Sequence, residues 1–182
     1  MSNKPKEVNP RKSGFEWPLH WQQVTVWMFT CAVLLTQGAI SLMQECLPAW
    51  ILVLAALVTV LLFITVFVYN YKATTANSED PAIAIQIEYL ASQTYFDPCG
   101  MAVEGSDLHL WCQICDTFVN ESSKHCSSCN RCSYGFDHHC NWLNTCVGGK
   151  NYRDFYQLIW IYSFYLAWFG VVAGFGLLEG SI

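Results

Sequence analysis

W-C-Q-I-C at 111–115, K-H-C-S-S-C-N-R-C at 124–132 and F-D-H-H-C-N-W-L-N-T-C-V-G-G-K-N-Y-R-D-F at 136–155 form the stretch around which the rest of the chain is arranged. Seven of the ten cysteines fall between Cys112 and Cys146, together with His125, His138 and His139, while the flanks are long apolar runs. Tetrahedral structural zinc takes four ligands, commonly three Cys and one His, and a C-x-x-C step delivers two thiolates from one turn. Cys112/Cys115 and Cys126/Cys129 are two such steps. Cys132 and Cys146 bring the thiols to six, and two histidines bring the ligands to eight, enough for two closed Cys3His sites. Cys140 is then left over, with His138 and Asp137 just before it. A thiol near an imidazole and a carboxylate is the raw material of nucleophilic catalysis. The count alone leaves open which histidine is spare and how the ligands divide between two metals.

The flanks set the fold class. The chain has 182 residues, 53% hydrophobic and only 13% charged, too apolar for a soluble domain of this size. Residues 24–43, 50–69 and 155–178 are uncharged or nearly so and long enough to cross a hydrocarbon core about 30 Å thick. The fold class expected is a polytopic α-helical membrane protein with three transmembrane helices and a cytosolic, zinc-bound cysteine-rich domain of short β-hairpins.

By domain, 1–20 is a cytosolic N-terminal tail read as disordered, and 21–47 is the first membrane helix with its lumenal turn, a retained anchor and not a cleaved signal. The second helix occupies 48–71 and a cytosolic linker 72–110. The cysteine-rich domain follows at 111–154, then the third helix at 155–178 and a lumenal end at 179–182. Within the first span, Thr30, Thr36 and Gln37 are suited to interhelical hydrogen bonds. Gly170 and Gly174 in the third form a G-x-x-x-G that permits close helix contact. In the linker, Asp80-Pro81 and Asp97-Pro98-Cys99-Gly100 are turn signals. The alternation of Ile83, Ile85 and Ile87 suggests a short strand or a membrane-surface segment. No internal repeat is evident beyond the C-x-x-C steps.

The charges orient the chain. All nine Lys and Arg residues lie before the first span or between the second and third, so both regions are expected on the cytosolic side. A reducing cytosol keeps the thiols free of disulfides. With a formal net charge of -5 overall, and five basic against ten acidic residues over 72–154, nucleic-acid binding is not expected.

Asp137-His138-His139-Cys140, preceded by H-C-x-x-C-x-x-C and followed by x-W-x-x-x-C-V-G-x-x-N-x-x-x-F, resembles the cysteine-rich domain of the DHHC protein S-acyltransferases. The resemblance implies two interleaved structural zinc sites, Cys112, Cys115, His125 and Cys132 on one and Cys126, Cys129, His139 and Cys146 on the other. It implies Cys140 as the acylated nucleophile, His138 as its base and Asp137 as the group orienting that base. The activity implied moves a palmitoyl group from acyl-CoA to protein cysteines in two steps. The partners implied are fatty acyl-CoA, the lipid bilayer and substrate proteins with a cysteine near the membrane surface. Endoplasmic reticulum or Golgi membranes are the implied location. Trp142 and Tyr165 are the expected acyl-binding residues, with the chain lodged among the helices.

Several positions depart from the family pattern: Asn141 follows the nucleophile in place of proline, and Thr145 stands where asparagine is usual. Glu121-Ser122-Ser123-Lys124 replaces a Pro-x-Arg, and no fourth helix or Thr-Thr-x-Glu motif follows. The alternative these departures raise is a membrane-anchored zinc scaffold, catalytically incomplete or truncated. Among the other thiols and imidazoles, Cys31 and Cys46 read as apolar or lone thiols and Cys99 as a candidate acylation site. His109 reads as a rival ligand that the family pattern leaves out, and His20 as an interfacial residue.

Overall fold

The computed structural model describes residues 10–44, 47–91 and 108–179. They form two compact units, one of the three long helices and one built around the cysteines. Cys46, Cys99, the 97–100 turn signal and residues 180–182 lie outside the described residues.

The helical unit contains α1 (Trp21–Met43), α2 (Ala49–Thr75) and, after the cysteine-rich segment, α4 (Tyr152–Glu179). All three are long and apolar enough to span a membrane. α1 begins three residues before the uncharged stretch because His20 caps it, its Nδ1 accepting from the Gln22 N–H at 3.3 Å. Large apolar side chains such as Leu35, Leu57, Leu61, Phe67 and Phe164 stand exposed on the helices, as a lipid solvent allows.

Polar side chains tie the helices together. Gln37 Nε2 and Trp168 Nε1 both donate to Thr59 Oγ1, at 2.8 and 2.9 Å, while that hydroxyl donates to Ala55 O. Thr30 Oγ1 and Tyr162 OH share a hydrogen bond of 3.0 Å. Thr36, by contrast, bonds only back to Ala32 O in its own helix. A β-carbon at Gly170 or Gly174 would meet nothing within 4 Å, so the G-x-x-x-G makes no close contact among the described residues. Gly176 is the glycine that does, since a β-carbon there would sit 2.7 Å from Ile40 Cγ2. Replacing Thr59 with valine strands two donors at once. It is expected to destabilise the helical unit by about 1–2 kcal/mol, measured as a lower thermal midpoint in detergent.

The cysteine-rich unit consists of residues up to Trp17 and Thr74–Tyr152. Residues 83–89 form no strand; they are part of a helix, α3 (Pro81–Ala91). Asp80 is its N-cap, with Oδ1 accepting the Ala82 N–H at 2.9 Å, and Pro81 occupies the first helical position, where a missing N–H costs nothing. The alternating isoleucines therefore report no strand pairing. Gln86 instead docks the helix: its Oε1 accepts from Thr117 Oγ1 and Phe118 N, and its Nε2 donates to Phe118 O.

Three antiparallel hairpins follow, β1 (Leu108–Cys112) with β2 (Thr117–Asn120), β3 (Lys124–Cys126) with β4 (Arg131–Ser133), and β5 (His138–Cys140) with β6 (Thr145–Val147). They share one register: Cys112 pairs with Thr117, Cys126 with Arg131 and Cys140 with Thr145. Each turn places one residue in the left-handed region, Asp116, Asn130 and Asn144, with φ of 51°, 49° and 54°. Asp and Asn are the side chains that tolerate it best. The hairpins are thus copies of one unit that repeats every 14 residues. Sequence inspection missed the repeat because only the C-x-x-C steps of the first two copies match by residue type; the third has Leu143 where they have a second cysteine.

The tail expected to be disordered is packed over residues 10–17. Arg11 N donates to Cys129 O at 2.9 Å, Gly14 N to Thr74 O at 3.0 Å, and Arg131 Nη1 to Lys12 O at 3.3 Å. Polar groups and cysteines dominate the interior, with Val119, Leu143 and Val147 as its main aliphatic members.

Candidate functional site

The repeat explains how two four-residue clusters arise. Adjacent strand residues point to opposite faces and cross-strand partners share one. His125 pairs with Cys132, so both present to one side of the second hairpin, and there they meet Cys112 and Cys115 from the first turn. Cys126, one residue on, faces the other way, and with Cys129 it meets His139 and Cys146, partners across the third hairpin. In the first hairpin the equivalent cross-strand pair is Trp111 and Phe118, which pack edge to face at 4.8 Å in place of ligands.

Within each cluster all four candidate ligand atoms lie within 4.8 Å of one another. His125 Nδ1 is 3.3 Å from Cys115 Sγ and 3.9 Å from Cys112 and Cys132 Sγ, with Cys115 and Cys132 Sγ 3.6 Å apart. His139 Nδ1 is 3.3, 3.6 and 3.9 Å from Cys129, Cys126 and Cys146 Sγ. A tetrahedron with metal–sulfur bonds of about 2.3 Å and metal–nitrogen bonds of about 2.0 Å has edges of about 3.5–3.8 Å. The clusters have those dimensions, and sulfur-rich tetrahedral sets suit zinc.

Electrostatics agree. In the second cluster hydrogen bonds from Cys129 and Cys146 hold the Cys126 thiol far below its ordinary range. Cys146 is pushed well above its own by Cys126 and Cys129, and His139 is raised to about 9 by hydrogen bonds to Cys126 and Cys129. Three thiols this close cannot all ionise without a cation among them. In the first cluster burial and the neighbouring Cys112 and Cys115 likewise push Cys132 up.

Cys140 belongs to neither cluster. It is buried, and burial raises its thiol, opposed by hydrogen bonds from the backbone N–H groups of Leu143 and Trp142. His138 lies two residues before it on β5, hence on the same strand face, and His138 Nδ1 is 3.1 Å from Asp137 Oδ2. That contact engages one ring nitrogen of His138 with a carboxylate. Trp142 is half exposed at the tip of the third turn, in the cysteine-rich unit. Tyr165 is fully buried in the helical unit, its ring near Phe63 and Tyr162 and its hydroxyl donating to Thr30 O at 3.4 Å. Cys31 is exposed on α1, and His109 contributes backbone to β1.

Sequence reasoning missed the residues that hold the unit together. Asp80, Arg131 and Asn151 are fully buried. The Arg131 guanidinium donates to Asn77 Oδ1, Ser78 Oγ and Thr145 Oγ1 as well as Lys12 O. Asn151 accepts from Gly148 N and donates to Cys146 O. Asp80-Pro81 carried a local signal, that of a helix N-terminus, and Asn151 stood in the C-V-G-x-x-N motif with no role attached.

Three membrane-length helices joined to a paired Cys3His hairpin unit with an additional buried thiol define a membrane protein with a metal-binding cysteine-rich domain. Residues 105–180 match the family model described as DHHC palmitoyltransferase, and this segment carries that family's signature. It is 38% identical over 112 residues to "Palmitoyltransferase ZDHHC17" of Rattus norvegicus, covering 60% of this chain and 17% of the relative. It is 39% identical over 93 residues to "Palmitoyltransferase ZDHHC18" of Mus musculus, covering 49% of this chain and 24% of that protein. "Probable protein S-acyltransferase 20" of Arabidopsis thaliana is 46% identical over 72 residues, 40% of this chain and 10% of the relative. The chain thus spans less than a quarter of the length of these relatives.

Proposed function

We propose that the chain transfers a long-chain acyl group, palmitoyl in the first instance, from acyl-CoA to protein cysteines through an acyl-enzyme on Cys140. The observation that carries this reading is the one buried thiol, among the described residues, left outside both metal clusters, on the same strand face as a histidine bonded to a carboxylate.

His138 Nε2 takes the Cys140 proton as Sγ attacks the thioester carbonyl, and Asp137 fixes the tautomer and stabilises the imidazolium. The bond from the carbonyl to the CoA sulfur breaks, and the CoA thiol leaves with that proton. A substrate cysteine then attacks the acyl-enzyme, its proton passing to His138 and on to the Cys140 sulfur. Cys112, Cys115, His125 and Cys132, and separately Cys126, Cys129, His139 and Cys146, would hold two zinc ions. With all four positions filled by protein, each ion would supply structure and leave no coordination position for substrate. The placement of Lys and Arg supports a cytosol-facing cysteine-rich unit, and Trp142 and Tyr165 remain the residues assigned to the acyl chain.

The test is hydroxylamine-sensitive labelling of the chain in nanodiscs with a clickable palmitoyl-CoA. Cys140→Ala is expected to remove the label. His138→Ala is expected to slow it by about 10²–10⁴-fold, with zinc content the same in every variant. If the folded, zinc-loaded wild type takes no label, the acyltransferase reading fails and the zinc scaffold replaces it.

A further inference from the structure

The third turn has the geometry of the other two without the ligands that would fix theirs. In the first and second, thiols stand at both ends of the C-x-x-C step, so a bound metal grips the turn from both sides. In the third, Leu143 replaces the second thiol, and the chain enters α4 at Tyr152 before any further hairpin supplies a histidine and cysteine. Cys140 nonetheless keeps the register position and the left-handed fourth residue of its counterparts.

The N-terminal segment occupies the place where a fastening is needed. Arg11 N donates to the carbonyl of Cys129 in the second turn. Three residues on, Gly14 lies against the corresponding carbonyl of the third turn, that of Leu143. A β-carbon on Gly14 would overlap the Leu143 oxygen and lie 2.7 Å from Thr74 Cγ2. The Asn144 side chain is buried, and its Nδ2 donates to Gly14 O at 3.1 Å, while Gly14 N donates to Thr74 O at 3.0 Å. Gly14 is thus bonded on one side to the turn that carries Cys140 and on the other to the backbone at the end of α2. All of these contacts lie within the cysteine-rich unit.

We propose that residues 11–14 are a staple for the Cys140 turn, with Gly14 and Asn144 as positioning residues that do for the third turn what a metal does for the first two. The staple rests on the reading of Cys140 as nucleophile. Its use is to hold Sγ beside His138, because a misplacement of about 1 Å at a reacting atom costs about a hundredfold in rate. A small residue at position 14 is required by the close approach, and Asn144 meets two demands at once, the positive φ and the donor to Gly14.

The test uses the full chain in nanodiscs, zinc-loaded, as wild type, Gly14→Ala, Asn144→Gly and Asp116→Gly. The last removes the corresponding side chain from a metal-held turn and controls for the flexibility that glycine itself adds. Amide exchange over residues 141–145 is expected to rise about tenfold in Gly14→Ala and Asn144→Gly. Exchange over 113–117 should stay unchanged in Asp116→Gly, with two zinc ions retained throughout. The single-turnover rate of acyl labelling should fall by about a hundredfold in the first two variants at unchanged KM for palmitoyl-CoA.

Adding Leu143→Cys to Asn144→Gly rebuilds a C-x-x-C step, and Cd²⁺ should then restore slow exchange there without restoring labelling, because Cys140 becomes a ligand. Unchanged exchange in both staple variants overturns the proposal, as does faster exchange with an unchanged labelling rate. Absence of label in the wild type defeats the nucleophile reading instead, and the exchange arms still decide whether the segment holds the turn.

Discussion

Cys146→Ser is expected to unfold the cysteine-rich unit and to lose its metal, whereas removal of an exposed side chain from the same unit is tolerated. Few aliphatic side chains are buried there among the described residues, and an apolar cluster is formed by Cys126, Cys129 and Cys146 with Phe136 against them. A set of this kind cannot offset the backbone entropy of some 70 ordered residues, at about 1–2 kcal/mol each, without a further term. Zinc binding to a Cys3His set supplies about 10–16 kcal/mol, as large as the whole stability of an ordinary domain. Cys146 lies at the centre of that term: fully buried, cross-strand partner of His139, and 3.5 Å from Cys129 Sγ. A serine oxygen is a poor zinc ligand in a sulfur site and forms shorter bonds.

The measurements are zinc per chain by elemental analysis and tryptic cleavage between residues 108 and 152. Two zinc ions and an unchanged cleavage map in Cys146→Ser would sink the reading of these residues as a structural site. Chelation has a related signature. The first cluster includes two partly exposed thiols, Cys112 and Cys115, whereas all three thiols of the second are buried. Zinc release to a chelator with a colorimetric reporter is therefore expected in two phases, the faster belonging to the first cluster and abolished by Cys112→Ser.

The second large effect is expected at Asp80, which lies outside both metal clusters. Its carboxylate is fully buried and accepts from Ala82 N, Asn120 N, Asn120 Nδ2 and Ser123 Oγ, at 2.9, 2.8, 2.8 and 2.5 Å. These bonds cap α3 and join it to the end of β2 and the loop before β3. Asp80→Ala leaves four donors without their acceptor, at about 1–3 kcal/mol for each group that water cannot reach. Because the four share one acceptor they do not add, and a total near 4 kcal/mol is expected. Asp80→Asn keeps the shape but turns an amide N–H₂ toward donors, and should cost about half as much. Both should appear as a lower temperature of zinc release, with α3 exchanging faster than the hairpins. An Asp80→Ala protein that releases zinc at the wild-type temperature would show that the carboxylate is dispensable.

What could be read directly varied with how local the information was. Residues 24–43, 50–69 and 155–178 announce membrane helices because a lipid-spanning helix must be apolar over its whole length, and composition alone records that. The helices run beyond these limits, to Trp21, Ala49, Thr75, Tyr152 and Glu179, because caps and polar end turns continue the backbone past the apolar window. The 14-residue repeat and the helix at Pro81–Ala91 were hidden for opposite reasons. In the repeat, backbone register is kept while side chains change: Trp111, His125 and His139 are equivalent positions. In the helix, three isoleucines at every second residue imitate a strand, while the deciding residue, Asp80, lies just outside the run.

By itself the sequence determined the membrane class, the family motif and the thiol count. Each follows from composition or from spacings of a few residues, which the backbone's own geometry turns into a helix or a two-thiol turn. Tertiary structure alone decided that Gly14 meets Asn144, Asp80 meets Asn120 and Ser123, and Arg131 meets Asn77 and Ser78. These pairs are 40 or more residues apart, so no local pattern links them. The physical reason is that a buried polar atom must find a partner wherever the folded chain brings one.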